Sequence, residues 1–202
     1  MKVIGTLCLC IWLVVATTSL AQPPSNDSNP PPILDTAGQP LQRGVEYYIL
    51  PDVTDISGGF TLLNRNGTLC PLYVGLDDDL TSPGLPVVFT PFLEDETVIR
   101  EARDFRVEFS AATICIESTA WRVGETDAET GRRLIVTGGD SQNGAYFRIN
   151  REGEAYIVAW CPTDVCPICR FQCGSAGLLN EDGKRLLALD GPTALPVRFR
   201  RA

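Results

Sequence analysis

Ile33-Leu34-Asp35-Thr36-Ala37-Gly38-Gln39-Pro40-Leu41, followed after five residues by Tyr47-Tyr48-Ile49-Leu50, sets a turn in front of an apolar strand. Asp35 through Gly38 forms the turn, and Tyr47 to Leu50 is a continuous apolar run suited to a buried strand. The same grammar repeats downstream. Ala155 to Trp160 is a second apolar run, while Phe105-Arg106-Val107-Glu108-Phe109 and Pro196-Val197-Arg198-Phe199-Arg200 alternate with period two. Turn signals recur at Gly58-Gly59, Asn66-Gly67, Gly138-Gly139, Asn143-Gly144, Asp182-Gly183 and Asp190-Gly191. Roughly a dozen short strands without a long amphipathic helix give an all-β chain, a barrel or a sandwich. Val98, Ala102 and Phe105 repeat at helical spacing, so a short helix competes within 94–109, where the alternation of 105–109 favours strand or loop.

Ahead of this β region lie two segments of different character. Lys2, the apolar stretch Val3 to Ala16 and the small-x-small pattern Ser19-Leu20-Ala21 read as a secretory signal over residues 1–21. The apolar run is too short for a stable span, which takes about 20 residues, so a secreted chain is expected, in the extracellular space or apoplast or in the vacuole. Residues 22–32, rich in Pro and Asn, read as an extended, mobile leader, and 33–202 as one domain. The formal net charge of −8 and the lack of a basic stripe argue against nucleic acid and against anionic membrane surfaces.

Two of the eight cysteines, Cys8 and Cys10, belong to the signal segment. The other six are Cys70, Cys115, Cys161, Cys166, Cys169 and Cys173, an even set that in an exported chain implies disulfides, with fifteen pairings open. Four cysteines within 161–173 could also hold zinc, but an oxidising compartment favours bridges. Asn26-Asp27-Ser28 and Asn66-Gly67-Thr68 are glycosylation sequons that fit the same export route, the second in a turn.

The chain contains no histidine. That removes Ser-His-Asp and Cys-His nucleophilic sites, histidine metal ligands and a proton shuttle near pH 6. Asp77-Asp78-Asp79 and Glu94-Asp95-Glu96 are the dense acidic runs; both sit in loop-like sequence and read as solvated surface, without the ligand spacing of a known calcium loop. No catalytic residue, cofactor or metal is expected. The chain reads as a binder, not an enzyme.

The opening stretch resembles the signature of the plant Kunitz, or soybean trypsin inhibitor, family. Further landmarks follow in that family's order: Cys70-Pro71-Leu72, Phe109-Ser110-Ala111 ahead of Cys115, Thr119-Ala120-Trp121-Arg122, Tyr146-Phe147-Arg148-Ile149, Trp160-Cys161-Pro162 and Gly183-Lys184-Arg185-Leu186-Leu187-Ala188-Leu189. The cluster Cys161 to Cys173 resembles that of the miraculin-like branch. The resemblance implies a disulfide-stapled β-trefoil of twelve strands, six closing a barrel and six forming a hairpin cap. It implies the bridges Cys70–Cys115, Cys161–Cys173 and Cys166–Cys169, and a chain that binds proteases. The stretch Arg151 to Ala155 holds no cysteine for an interchain bridge, so a monomer is expected.

Inhibitory relatives offer one exposed loop to a serine protease in the manner of a substrate. The matching stretch is Thr90-Pro91-Phe92-Leu93-Glu94-Asp95, with Pro91, Phe92, Leu93, Glu94 and Asp95 as the contact and Leu93 in the primary specificity position; a shift of one residue would put Phe92 or Glu94 there. Leu93 suits an apolar pocket of the chymotrypsin or subtilisin kind better than trypsin's acidic one. Arg43 stands where those relatives carry a loop-supporting Asn, and Arg has no acceptor with which to replace it fully. Two functions remain open: an endopeptidase inhibitor of non-trypsin specificity, and a non-inhibitory storage or defence protein. Trp121 and Trp160 read as core residues, which disfavours a carbohydrate-binding trefoil.

Overall fold

The computed structural model describes residues 29–53, 56–139 and 143–202. Residues 1–21, the first part of the Pro-rich leader and the sequon at Asn26 lie outside them. The described residues form no helix and thirteen strands: β1 Glu46–Pro51, β2 Phe60–Leu63, β3 Tyr73–Leu76, β4 Val87–Pro91, β5 Phe105–Phe109, β6 Trp121–Thr126, β7 Arg133–Thr137, β8 Arg148–Glu152, β9 Ala155–Trp160, β10 Gly174–Ser175, β11 Gly177–Glu181, β12 Lys184–Ala188 and β13 Pro196–Arg201. The one strand beyond the expected twelve is the two-residue β10. Period-two alternation wins over the helical spacing in 94–109: β5 buries Phe105, Val107 and Phe109 on one face.

One sheet runs β10-β9-β13-β1-β4-β5, with β8 on the other side of β9. Phe105 and Phe147 exchange backbone hydrogen bonds of 2.9 and 2.8 Å, which joins β5 to the residue ahead of β8 and closes the ring. Strands β1, β4, β5, β8, β9 and β13 therefore make a barrel without a free edge. The second sheet holds the hairpins β2–β3, β6–β7 and β11–β12, whose strands β3, β7 and β12 pair with one another across the barrel's end. Barrel plus hairpin triplet is a β-trefoil, its units being β1–β4, β5–β8 and β9–β13.

The alternating patterns fill the barrel with aromatic rings. Phe89 of β4 meets Phe105 of β5 and Phe199 of β13 edge-on, at 5.3 and 5.8 Å between centroids. Trp121, 1% exposed, stacks on Phe60 and sits between the barrel and its cap. Removing a ring of this kind costs about 3–5 kcal/mol, because a close-packed interior collapses only partly into the void.

All six described cysteines are bridged, as Cys70–Cys115, Cys161–Cys173 and Cys166–Cys169. The four thiols within 161–173 are thus used in bridges. By loop-closure entropy the first bridge, across 45 residues, contributes about 4 kcal/mol and the second, across 12, about 3. The innermost bridge adds least. The end of the leader is less free than its composition suggests. Proline carbonyls still accept hydrogen bonds, and those of Pro30 and Pro31 take the Arg100 side chain and the Glu101 amide, both at 2.9 Å.

The three hairpins are locked together by charge. Arg65, in the β2–β3 turn, donates from Nε and Nη2 to Glu181 at 2.6 and 3.0 Å and from Nη1 to Asp127 at 2.6 Å. Each of the three residues belongs to a different hairpin end, and Arg65 is only 8% exposed. The guanidinium, helped by Thr130, holds the Asp127 carboxyl far below the usual carboxylate range. Because the folded value is depressed, this stabilisation is present above about pH 4 and is lost as pH falls through the folded value. Arg65→Ala leaves two carboxylates facing each other and should lower urea-unfolding stability by about 3 kcal/mol at pH 7. The deficit should shrink markedly at pH 2, and an equal deficit at both pH values would contradict the staple.

Candidate functional site

Strand β4 ends at buried Pro91, and β5 begins opposite it, Pro91 pairing with Phe105. Between them residues 92–104 leave the barrel and return. The outgoing arm is held first by the backbone, the Phe92 amide donating to the Asp104 carbonyl at 2.9 Å. The Phe92 ring lies half-buried, edge-on to Tyr146 at 5.4 Å, and Arg106 stacks on that tyrosine's ring. Leu93 is half-buried, and Glu94 and Asp95 are exposed at the tip. The Glu96 amide turns back to the Leu93 carbonyl at 3.2 Å.

The returning arm is stitched to the N-terminal segment. Arg43 N–H donates to the Thr97 carbonyl, Ile99 N–H to Leu41 and Ile33 N–H to Ile99, all between 2.8 and 2.9 Å. Ile33, Leu41 and Ile99 are buried together, so hydrophobic burial and a backbone ladder fix the same arm.

The Arg43 side chain reaches under the tip. Its Nη2 donates to the Leu93 carbonyl at 2.9 Å and, more weakly, to the Pro91 carbonyl at 3.4 Å. Arg cannot accept, as its chemistry requires, but the groups it meets here are acceptors. It therefore supports the loop by donation alone. The Leu93 carbonyl thus takes one internal hydrogen bond from Arg43 and one from Glu96, and the peptide after Leu93 faces inward.

Asp104 anchors the base of the loop. It is 1% exposed; its carboxylate accepts the Asp164 and Val165 amides at 2.7 and 3.1 Å and pairs with Arg148, while its own amide donates to the Asp164 carboxylate at 2.9 Å. Burial pushes its carboxyl above the ordinary value, against the lowering pull of Arg148 and the two amides. Arg103 spans from Glu96 to Asp164 at 3.8 and 3.6 Å. Sequence reasoning missed Asp104, Arg103 and Asp164, because their partners are far off in the chain. Asn66 is exposed in a turn with φ of 53°, followed by Gly67 at 71°.

The described β region coincides with a known family. The model of the Kunitz legume family, described as trypsin and protease inhibitor, matches residues 33–201. This chain belongs to the Kunitz legume family. Kunitz type trypsin inhibitor 104 of Medicago truncatula is 47% identical over 95% of this chain and 93% of its own. Miraculin of Synsepalum dulcificum, a related branch, is 34% identical over 96% of each. Among solved structures, the rice bifunctional α-amylase/subtilisin inhibitor from Oryza sativa superposes with a TM-score of 0.71 and 33% identity, over 86% of this chain and 99% of its own. The Kunitz fold thus accounts for the whole described β region. Arg43→Ala should raise hydrogen exchange at the Glu96 amide and speed proteolytic nicking between 92 and 97, with little change in the melting temperature. Unchanged exchange there would show that Arg43 does not restrain the loop.

Proposed function

We propose that this Kunitz-family chain is a secreted, monomeric inhibitor of a serine endopeptidase of the chymotrypsin or subtilisin kind. Residues Pro91, Phe92, Leu93, Glu94 and Asp95 are its contact, and Leu93 enters the specificity pocket. The observation that carries the reading is the double restraint of this loop, from beneath by Arg43 and at its base by Asp104. A segment held in place before binding loses little conformational entropy on docking, and its ends stay close after any cleavage. Burying the Leu93 side chain in an apolar pocket is worth about 1.5–3 kcal/mol, whereas trypsin's acidic pocket gains no ion pair. Glu94, Asp95 and Glu96 further disfavour proteases with negative cleft rims. The rice relative is an α-amylase/subtilisin inhibitor, which agrees with this preference. Export uses residues 1–21 as signal, and the exposed turn at Asn66 is the glycosylation site that best fits an accessible acceptor.

One observation favours a second reading, a non-inhibitory storage or defence protein. The Leu93 carbonyl is the oxygen that a protease's oxyanion hole must take, and here it is held by Arg43 and Glu96. Inhibition then requires exchanging these donors for the enzyme's, which makes it modest. The two readings separate in a titration against chymotrypsin, subtilisin and trypsin. Modest inhibition of the first two and little of trypsin is expected. Leu93→Ala should weaken it roughly tenfold or more, and Leu93→Arg should move it toward trypsin. If Leu93→Ala leaves every susceptible protease unaffected, this loop is not the contact.

A further inference from the structure

Between β9 and β11 the third trefoil unit carries an insert, residues 161–176, that the other two units lack at this length. Its ends are joined by Cys161–Cys173 and its tip, Cys166-Pro167-Ile168-Cys169, is closed by Cys166–Cys169. The rest is fastened to the barrel and, through Arg133, to the cap. Asp164 and Val165 donate to the Asp104 carboxylate, the Thr163 hydroxyl meets Arg148 at 3.0 Å, Phe171 lies edge-on to Trp160 at 5.3 Å, and the Gln172 carbonyl accepts from Arg133 at 2.8 Å. On this fixed base Ile168 stands 93% exposed. A β-branched apolar side chain is thus held in water on a doubly bridged turn, an arrangement that cannot fold it back into the core.

The tip cannot itself be a substrate-like segment. The Cys169 amide donates to the Cys166 carbonyl at 3.2 Å, so the backbone is a tight turn, whereas a protease cleft pairs with an extended strand. It is shaped as a knob. Its position relative to the 91–95 loop follows from the hydrogen bonds: Phe92 pairs with Asp104, Asp104 pairs with Asp164, and Ile168 is four residues beyond. Such a path keeps Leu93 and Ile168 within roughly 30 Å, the width of a patch of about 800 Å² that each partner buries in a protease–inhibitor complex.

We propose that Ile168 is a second contact to the same protease, a preformed apolar knob that fills a recess on the enzyme's cleft rim while the 91–95 loop occupies the cleft. The proposal rests on the reading of that loop as the protease contact. The shared Asp104–Asp164 node makes the two contacts one rigid surface, so docking the knob orders nothing further. Ile168 then sets which apolar-pocket protease is preferred, through the shape of the rim, while Leu93 sets the pocket class.

The test is a set of inhibition constants against subtilisin and chymotrypsin for wild type, Leu93→Ala, Ile168→Ser and Ile168→Asp. It is joined by a photo-crosslinking side chain placed at position 168. Ile168 is almost wholly exposed, so both variants should melt with wild type. The expected result is a loss of about tenfold or more for Ile168→Asp against at least one enzyme, seen mainly in the dissociation rate, with a crosslink from 168 to that enzyme. Sensitivity to Leu93→Ala with no effect at 168 and no crosslink would overturn the knob and leave the loop reading standing. Loss at 168 without loss at 93 would make the tip a separate site and overturn the shared interface. Absence of inhibition by wild type would remove both.

Discussion

A carboxylate sealed from solvent at the point where a surface loop re-enters a barrel must be satisfied completely or not buried at all. Asp104 is that group. It accepts two amides of the insert, pairs with Arg148 of β8 and donates its own amide to Asp164. Through its carbonyl it also holds the first residue of the outgoing arm, Phe92. One residue therefore ties the exposed loop, the stapled insert and the barrel wall. Burial opposes its charge, so the network is held only while every partner stays in place. Loss of any partner would loosen both surface features together.

The trefoil supplies rigidity, and its departures from threefold symmetry carry the proposed recognition surface. The barrel has no edge, and the cap is tied by Arg65 across three hairpin ends. Against this frame, the link between the second and third units is a tight turn at Gly153, while the link between the first and second swells into residues 92–104. Lengthening a surface loop costs little closure entropy, since the cost rises only logarithmically with length. What it costs in order is recovered by fastening the arms. The returning arm uses Ile33, Leu41 and Ile99; the outgoing arm uses Phe92 on Tyr146; the tip uses Arg43.

Much of the fold was legible because β structure writes its period locally. The alternation of Phe105–Phe109 and Pro196–Arg200 and the apolar runs Tyr47–Leu50 and Ala155–Trp160 became β5, β13, β1 and β9. Asp182-Gly183 became the two-residue turn between β11 and β12, both residues at positive φ as such a hairpin demands. The threefold repeat was not legible. It is carried by which strand pairs with which, and the three opening strands, Glu46–Pro51, Phe105–Phe109 and Ala155–Trp160, differ in sequence and in burial pattern. The loop's address came from resemblance, but the ion networks that hold the cap and the loop's base did not. Arg65, Asp127 and Glu181 converge across more than a hundred residues, and Asp104 looks like any charge preceding a strand. Arg43 was legible as a position; the carbonyls it meets, of Pro91 and Leu93, became visible only once the fold set them beside it.

The claim that residues 91–95 dock as a preformed segment is tested most directly by a crystal structure of the chain bound to subtilisin. Docking in that form places the Leu93 side chain in the specificity pocket, transfers its carbonyl from Arg43 and Glu96 to the enzyme's oxyanion donors, and leaves residues 97–104 unmoved. A complex that contacts the chain elsewhere, with the Leu93 carbonyl still on Arg43, would contradict it.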